Sequence, residues 1–255
     1  MESNQFGKKI FFLYPHSVIQ TDLIHTFIAN EYEVYTLKDY LKVKQVLKKH
    51  KNSILFINID DVLKEDQWFD YVKSIVNNED FKDVQVGILT YNENEELARK
   101  YLIDITVPCG FIQLKLGRDE SSKIILKTLA VNNGKGKRKY VRATSSNHTK
   151  ATFNVTIGAD LSTGHINDIS SVGMSVVFDN DIGFKKNALL RNMQLKLNGK
   201  LVLLDTIVFG SRDIEDNKRL YVLMFTNEML EDSKYKIHEY IRMTLQANLD
   251  KEIYG

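Results

Sequence analysis

The chain of 255 residues has one cysteine, two prolines and almost no excess of either charge: 35 basic side chains stand against 33 acidic ones, for a net +2. Cys109, being alone, forms no internal disulfide, which excludes a disulfide-built secreted scaffold. The N-terminal "KKIFFLYPHS" holds an apolar run too short for the core of a signal peptide, and no later run approaches the ~20 residues that span a bilayer. These absences point to a cytoplasmic protein with no membrane span. The histidines His16, His25, His50, His148, His165 and His238 show no HxH or HExxH spacing and there is no CxxC, so no metal site is expected. Neither GxSxG nor GxxxxGK[ST] occurs, so nothing indicates an enzyme or a bound cofactor. Low-complexity tracts and repeats of 20–50 residues are also missing, which argues against solenoids and disordered tails.

What is present is a globular composition, 43% hydrophobic and 27% charged, over a length that suits two domains. From residue 8 to about 131, short apolar runs alternate with stretches of helical period. "KIFFLYP" (9–15), "YEVYTL" (32–37), "SILFINI" (53–59), "VQVGILT" (84–90) and "GFIQLKL" (110–116) read as strands, several too continuously apolar to have a wet face. Amphipathic segments follow them: Val18, Ile19, Leu23 and Phe27; Val43, Val46 and Leu47; Trp68, Tyr71, Val72, Ile75 and Val76; Leu97 and Tyr101; and "DESSKIILKTLAV" (119–131). Five βα units predict an α/β domain over 1–131, a doubly wound parallel sheet with helices on both faces. Cys109, after Pro108 at the start of the last strand, reads as core.

Beyond residue 137 the period changes to two. "ATFNVTIG" (151–158), "GHINDIS" (164–170), "GMSVVFD" (173–179), "NMQLKLNG" (192–199), "KLVLLDTIVFG" (200–210) and "RLYVLMFT" (219–226) read as strands, with Asn198-Gly199 a strong hairpin signal. They predict an all-β domain over 138–255, a six-stranded antiparallel barrel, closed by an amphipathic helix at 233–249. Two asparagines and two glycines in "VNNGKGKRK" mark a helix end and a flexible basic linker at 132–137.

Residues 121–159 carry eight basic side chains and no acidic one. Lysines outnumber arginines 27 to 8 in the chain, yet Arg138 and Arg142 stand four apart here. A guanidinium makes planar, bidentate contacts to phosphate or a guanine edge, which an ammonium does not. Downstream, "NDISSVGMSV" (167–176) places Asp168 and Ser170 on one strand face, with Gly173 allowing a sharp turn and close approach of a ligand or another backbone. Without the arginines, Asp168 reads as a turn cap and Ser170 as the partner of a buried backbone group.

Arg138-Lys139-Tyr140-Val141-Arg142 followed by Asp168-Ile169-Ser170-Ser171-Val172-Gly173, in that order and in a β context, resembles the RxxxR and DxSxxG motifs of the PilZ domain, the bacterial receptor for cyclic di-GMP. The resemblance covers about residues 135–250. It implies a bacterial second-messenger effector whose ligand carries two phosphates and two guanines. It further implies that Arg138 and Arg142 clamp phosphate and guanine, that Asp168 accepts from guanine N–H groups, and that Ser170 and the Gly173 turn support the other side. Lys137, just before the first arginine, and Lys139 are additional candidates, with Lys137 leaving open whether one ligand or an intercalated pair is bound.

The βα units over about residues 8–130 resemble a response-regulator receiver domain, in a degenerate form. After the first strand come Tyr14, Pro15 and His16 where the resemblance calls for an acidic pair to hold magnesium. Asn58 falls at the phospho-acceptor position, with Asp60 and Asp61 nearby, where a two-residue slip restores an aspartate; Thr90 matches the hydroxyl position and Lys115 lies within a residue of the lysine position, although both also suit a strand-end hydroxyl and a surface lysine. A receiver-like interaction domain without metal-dependent phosphorylation is implied.

The expected mechanism is ordering of the linker against the barrel by cyclic di-GMP, which changes the domain arrangement and controls an unidentified protein partner. Single-stranded nucleic-acid binding is the alternative, because a basic arm on a small barrel fits it. Only Tyr140 and Phe153 are aromatic between 121 and 159, however, so no nucleic-acid partner is expected. A ligand-independent interaction scaffold is the third reading.

Overall fold

The computed structural model describes residues 7–17, 23–114, 117–136, 139–145, 151–215 and 218–255. The chain divides into two compact units, Met1–Lys139 together with Glu252–Gly255, and Tyr140–Lys251.

In the first unit, β1 (Lys9–Leu13), β2 (Val34–Leu37), β3 (Ser53–Asn58), β4 (Gln85–Thr90) and β5 (Phe111–Gln113) form an all-parallel sheet in the order β2-β1-β3-β4-β5. Helices α1 (Ile24–Ala29), α2 (Tyr40–Lys49), α3 (Glu65–Val76), α4 (Glu95–Arg99) and α5 (Gly117–Val131) make the connections. Every residue of β3 is buried, as the unbroken apolar run requires of a strand covered on both faces. Phe12 stacks between Phe27 of α1 and Phe56 of β3, at 5.6 and 5.2 Å between ring centres. Cys109 is buried, and loss of hydration pushes its thiol up to about 12, so it is core. The segment expected as one helix around Leu97 and Tyr101 is divided: α4 passes into a π-helical turn, Lys100–Ile105, which Thr106 ends in the left-handed region at φ 60°.

In the second unit, β6 is Arg142–Thr144, β7 Ala151–Ile157, β8 Asp160–Ser170, β9 Gly173–Phe178, β10 Leu189–Leu197, β11 Lys200–Asp213 and β12 Arg219–Phe225. Strands β7 to β12 correspond to the six read from the sequence. The antiparallel pairings run β8-β7-β10-β11-β12-β9, and the β8–β9 pair closes the ring. Asn198 (φ 47°) and Gly199 (φ 85°) make the expected two-residue hairpin between β10 and β11. Helix α6 (Glu231–Tyr254) is longer than the predicted segment and buries Ile237, Tyr240, Ile241, Leu245 and Leu249. Among the described residues, no helix is long and apolar enough to cross a membrane.

The approach to the linker differs from expectation. Helix α5 ends in a Schellman motif: Gly134 N–H donates to Leu129 O (2.8 Å) and Asn133 N–H, from a left-handed residue at φ 53°, to Ala130 O (3.2 Å). Gly134 O then accepts from Lys8 N–H at 3.0 Å, and the Lys135 ammonium lies 5.0 Å from the centre of the Tyr32 ring. Residues 132–136, expected as a flexible joint, are thus held against the first unit; Lys137 and Arg138 lie outside the described residues.

Candidate functional site

The sequence contains no strand signal at 142–144, where Ala143 is the one apolar residue between Arg142 and Thr144. Strand β6 nevertheless pairs with the end of β8, in the register Arg142↔Ser170, Ala143↔Ile169, Thr144↔Asp168. Directly opposed residues of an antiparallel pair share a face. Ala143 and Ile169 therefore both point into the barrel, where each is fully buried, and Arg142, Thr144, Asp168 and Ser170 share its outer side.

Arg142 Nη1 stands 3.9 Å from Asp168 Oδ1, with the arginine side chain 56% exposed. That separation exceeds a hydrogen bond, and an exposed pair of this kind contributes ~1 kcal/mol or less, so an incoming anion displaces it cheaply. Arg142 is seated on the barrel by the β6–β8 pairing. Lys139 is exposed.

The two halves of the downstream motif act differently. Asp168 is partly exposed, and its Oδ2 accepts from Ser175 Oγ at 2.5 Å and from Asn167 Nδ2 at 3.2 Å. Ser170 is 4% exposed, and its hydroxyl donates to Gly173 O at 3.0 Å across the β8–β9 turn. It therefore braces the turn and offers no open hydroxyl on the face. Gly173 lacks a side chain because another backbone comes close: a Cβ there would stand 2.5 Å from Leu223 O of β12. The hydroxyl that meets Asp168 belongs instead to Ser175, its partner across β8–β9, and it is equally buried. Ser175 lies outside the two motifs; its one sequence signal is its place two residues beyond Gly173. On the far side of β9 the face continues to Val222, opposite Ser175.

Phe153, one of the two aromatics near the basic segment, is in the barrel core, edge-on to Phe178 at 4.8 Å. It is not available to stack on a base.

A second polar cluster lies at the C-terminal strand ends of the first unit, the usual ligand crevice of an open α/β sheet. Asn58 Nδ2 donates to Tyr14 O (2.8 Å) and Asn58 Oδ1 accepts from Asp60 N–H (3.0 Å). Asp60, two residues past β3 and beside Thr90, accepts from the Thr90 hydroxyl and from Tyr91 N–H at 2.7 Å, and pairs with His16 Nε2 at 2.9 Å. Burial pushes the Asp60 carboxyl up, but hydrogen bonds from His16, Thr90 and Tyr91 outweigh this and hold it below the ordinary value. The side chain after β1 that meets Asp60 is thus that of His16. Among the described residues no group of three or more His, Cys, Asp or Glu side chains is placed to hold a metal ion. Lys115 lies outside the described residues.

No family model and no curated protein matches the chain. Solved structures do. The PilZ domain of YcgR from Escherichia coli, with c-di-GMP, aligns at 12% identity and a TM-score of 0.38, over 46% of this chain and 96% of that one. MrkH of K. pneumonia in its apo state aligns at 17% and 0.40, over 47% and 55%. The chain is similar to PilZ proteins. It is also similar to a receiver: the Mn(2+)-bound response regulator Rcp1 aligns at 17% and 0.38, over 48% of this chain and 92% of that one. This chain spans about half the length of the MrkH chain and of the full YcgR chain it matches.

Proposed function

We propose that the chain is a bacterial cyclic di-GMP-binding effector without catalytic activity, whose ligand lies on the outer face shared by β6, β8 and β9. One observation carries this reading: β6 pairs with β8 so that a guanidinium (Arg142) and a carboxylate (Asp168) stand side by side on one exposed surface. A guanine nucleotide needs both, a cation for phosphate or the acceptor-rich Hoogsteen edge and an anion for the N–H donors. Removing Arg142 forfeits one or two charge-assisted hydrogen bonds of ~1.5–3 kcal/mol, so Arg142→Ala lowers affinity roughly 10- to 150-fold per bond in a calorimetric titration with cyclic di-GMP. Equal affinities for wild type and variant overturn the assignment.

Arg138 completes the RxxxR pair in this reading, with Lys137 and Lys139 beside it. The ligand closes the segment that carries them onto the barrel face, and this changes the domain arrangement presented to a protein partner. Small-angle scattering with and without saturating cyclic di-GMP tests the step: two different envelopes are expected, and identical ones sink it. The first unit serves as a receiver-like interaction domain, with its crevice filled by its own His16.

A further inference from the structure

Between Ile166 and Asp168 the β8–β9 register slips by one: Ile166 pairs with Val176, Asp168 with Ser175, and Asn167 is the extra residue of a β-bulge. A bulge turns two consecutive side chains to one side of a sheet. Asn167 and Asp168 accordingly both face outward between two core residues, Ile166 and Ile169. The Asn167 carboxamide lies on the carboxylate, its Nδ2 3.2 Å from both Asp168 Oδ2 and Ser175 Oγ.

We infer that Asn167 is a guanine-reading residue of this site, taking the 2-amino group that Asp168 cannot reach alone; the inference rests on the cyclic di-GMP reading above. A guanine offers two adjacent donors, N1–H and the 2-amino group, and a carboxylate with both oxygens open takes them as a fork. Asp168 has no such fork. Its Oδ2 already accepts from Ser175 and Asn167, which uses both lone pairs, and Oδ1 alone faces the Arg142 side. The second acceptor on the bulge is the Asn167 carbonyl oxygen, directed away from Asp168 and Ser175 because the amide nitrogen faces them. Asn167 and Asp168 thus divide the guanine edge, one donor each, and Ser175 enforces the division by occupying Oδ2.

The test is calorimetric titration of the full chain with cyclic di-GMP and with its hypoxanthine analogue, cyclic di-IMP, which lacks only the 2-amino group. Wild type prefers cyclic di-GMP by about tenfold, one neutral hydrogen bond. Asn167→Ala removes this preference by weakening cyclic di-GMP about tenfold while leaving cyclic di-IMP within about twofold. Adding Ser175→Ala frees Oδ2 for the second donor and restores part of the preference in the double variant. An equal loss for both ligands means that Asn167 merely shapes the bulge, and no loss for either means that it is a bystander; each overturns the inference. Asn167→Gly, which keeps the bulge backbone relaxed, gives the same readout should the alanine variant fail to fold. A wild-type chain that binds neither ligand removes the cyclic di-GMP reading itself, whereas one that binds cyclic di-GMP without discriminating removes Asn167 only.

Discussion

Asp60 and Asp168 are nearly the same piece of chemistry, satisfied to different degrees. Each is a partly exposed aspartate with a basic side chain on one flank and a hydroxyl on the other: His16 and Thr90 for Asp60, Arg142 and Ser175 for Asp168. Around Asp60 both oxygens are taken, by His16 and Tyr91 N–H on Oδ2 and by the Thr90 hydroxyl on Oδ1. Around Asp168 one oxygen is taken, and the other faces an arginine held 3.9 Å away on an adjacent strand. A polar cluster that satisfies itself contributes to folding; one that leaves an acceptor and a cation a little too far apart has interaction energy left for a ligand.

Exchanging the tests between the two aspartates sharpens this contrast most. Asp168→Ala loses charge-assisted bonds to the ligand and lowers cyclic di-GMP affinity by roughly 10- to 150-fold or more, and it also leaves the Ser175 hydroxyl without its acceptor, at a cost of about 1–3 kcal/mol in stability. Asp60→Ala leaves Thr90, Tyr91 N–H and His16 without their common acceptor and costs the first unit about 1–3 kcal/mol in thermal or urea melting, with ligand affinity unchanged. A variant of Asp60 that weakened ligand binding as strongly as Asp168→Ala would break the comparison.

Acid gives a smaller effect with a defined sign. The Asp60 carboxyl is held below its ordinary value, so its contribution is fully present above the unfolded value of ~3.9 and is lost as pH falls through the lower folded one. Between pH 5 and 2, wild type should lose more stability than Asp60→Asn, measured by urea melts of the chain. Parallel curves for the two proteins would show that the hydrogen bonds to Asp60 are worth little in solution.

The five βα units and six barrel strands were legible in the sequence because each buries a face large enough to impose its period. Val43, Val46 and Leu47, for example, are all buried as the helical spacing predicts. The candidate site was legible only in its charged residues. Strand β6 is three residues long with Ala143 alone turned inward, too little to imprint a pattern, and its existence depends on the free edge of β8. The Asn167 bulge depends on how β8 and β9 slip past each other, which neither strand encodes alone. The asparagines and glycines at 132–136 announced a helix end correctly, but whether such a stretch swings free or docks is decided by the surfaces of Lys8 and Tyr32, more than a hundred residues upstream.

The closing of β8 on β9 also bears on how such a protein survives at high concentration. A sheet that ends in an open strand offers a row of unmet N–H and C=O groups on which a neighbouring molecule's strand can template. Here the ring leaves β6 as the barrel's remaining edge among the described residues, and that edge is blunt: three residues long, flanked by the charge of Arg142, with Thr144 O accepting from Asn248 of α6 at 3.4 Å. The strand that presents Arg142 is therefore also the stopper against edge-to-edge aggregation, and a mutation that lengthened it for tighter pairing would trade solubility for order.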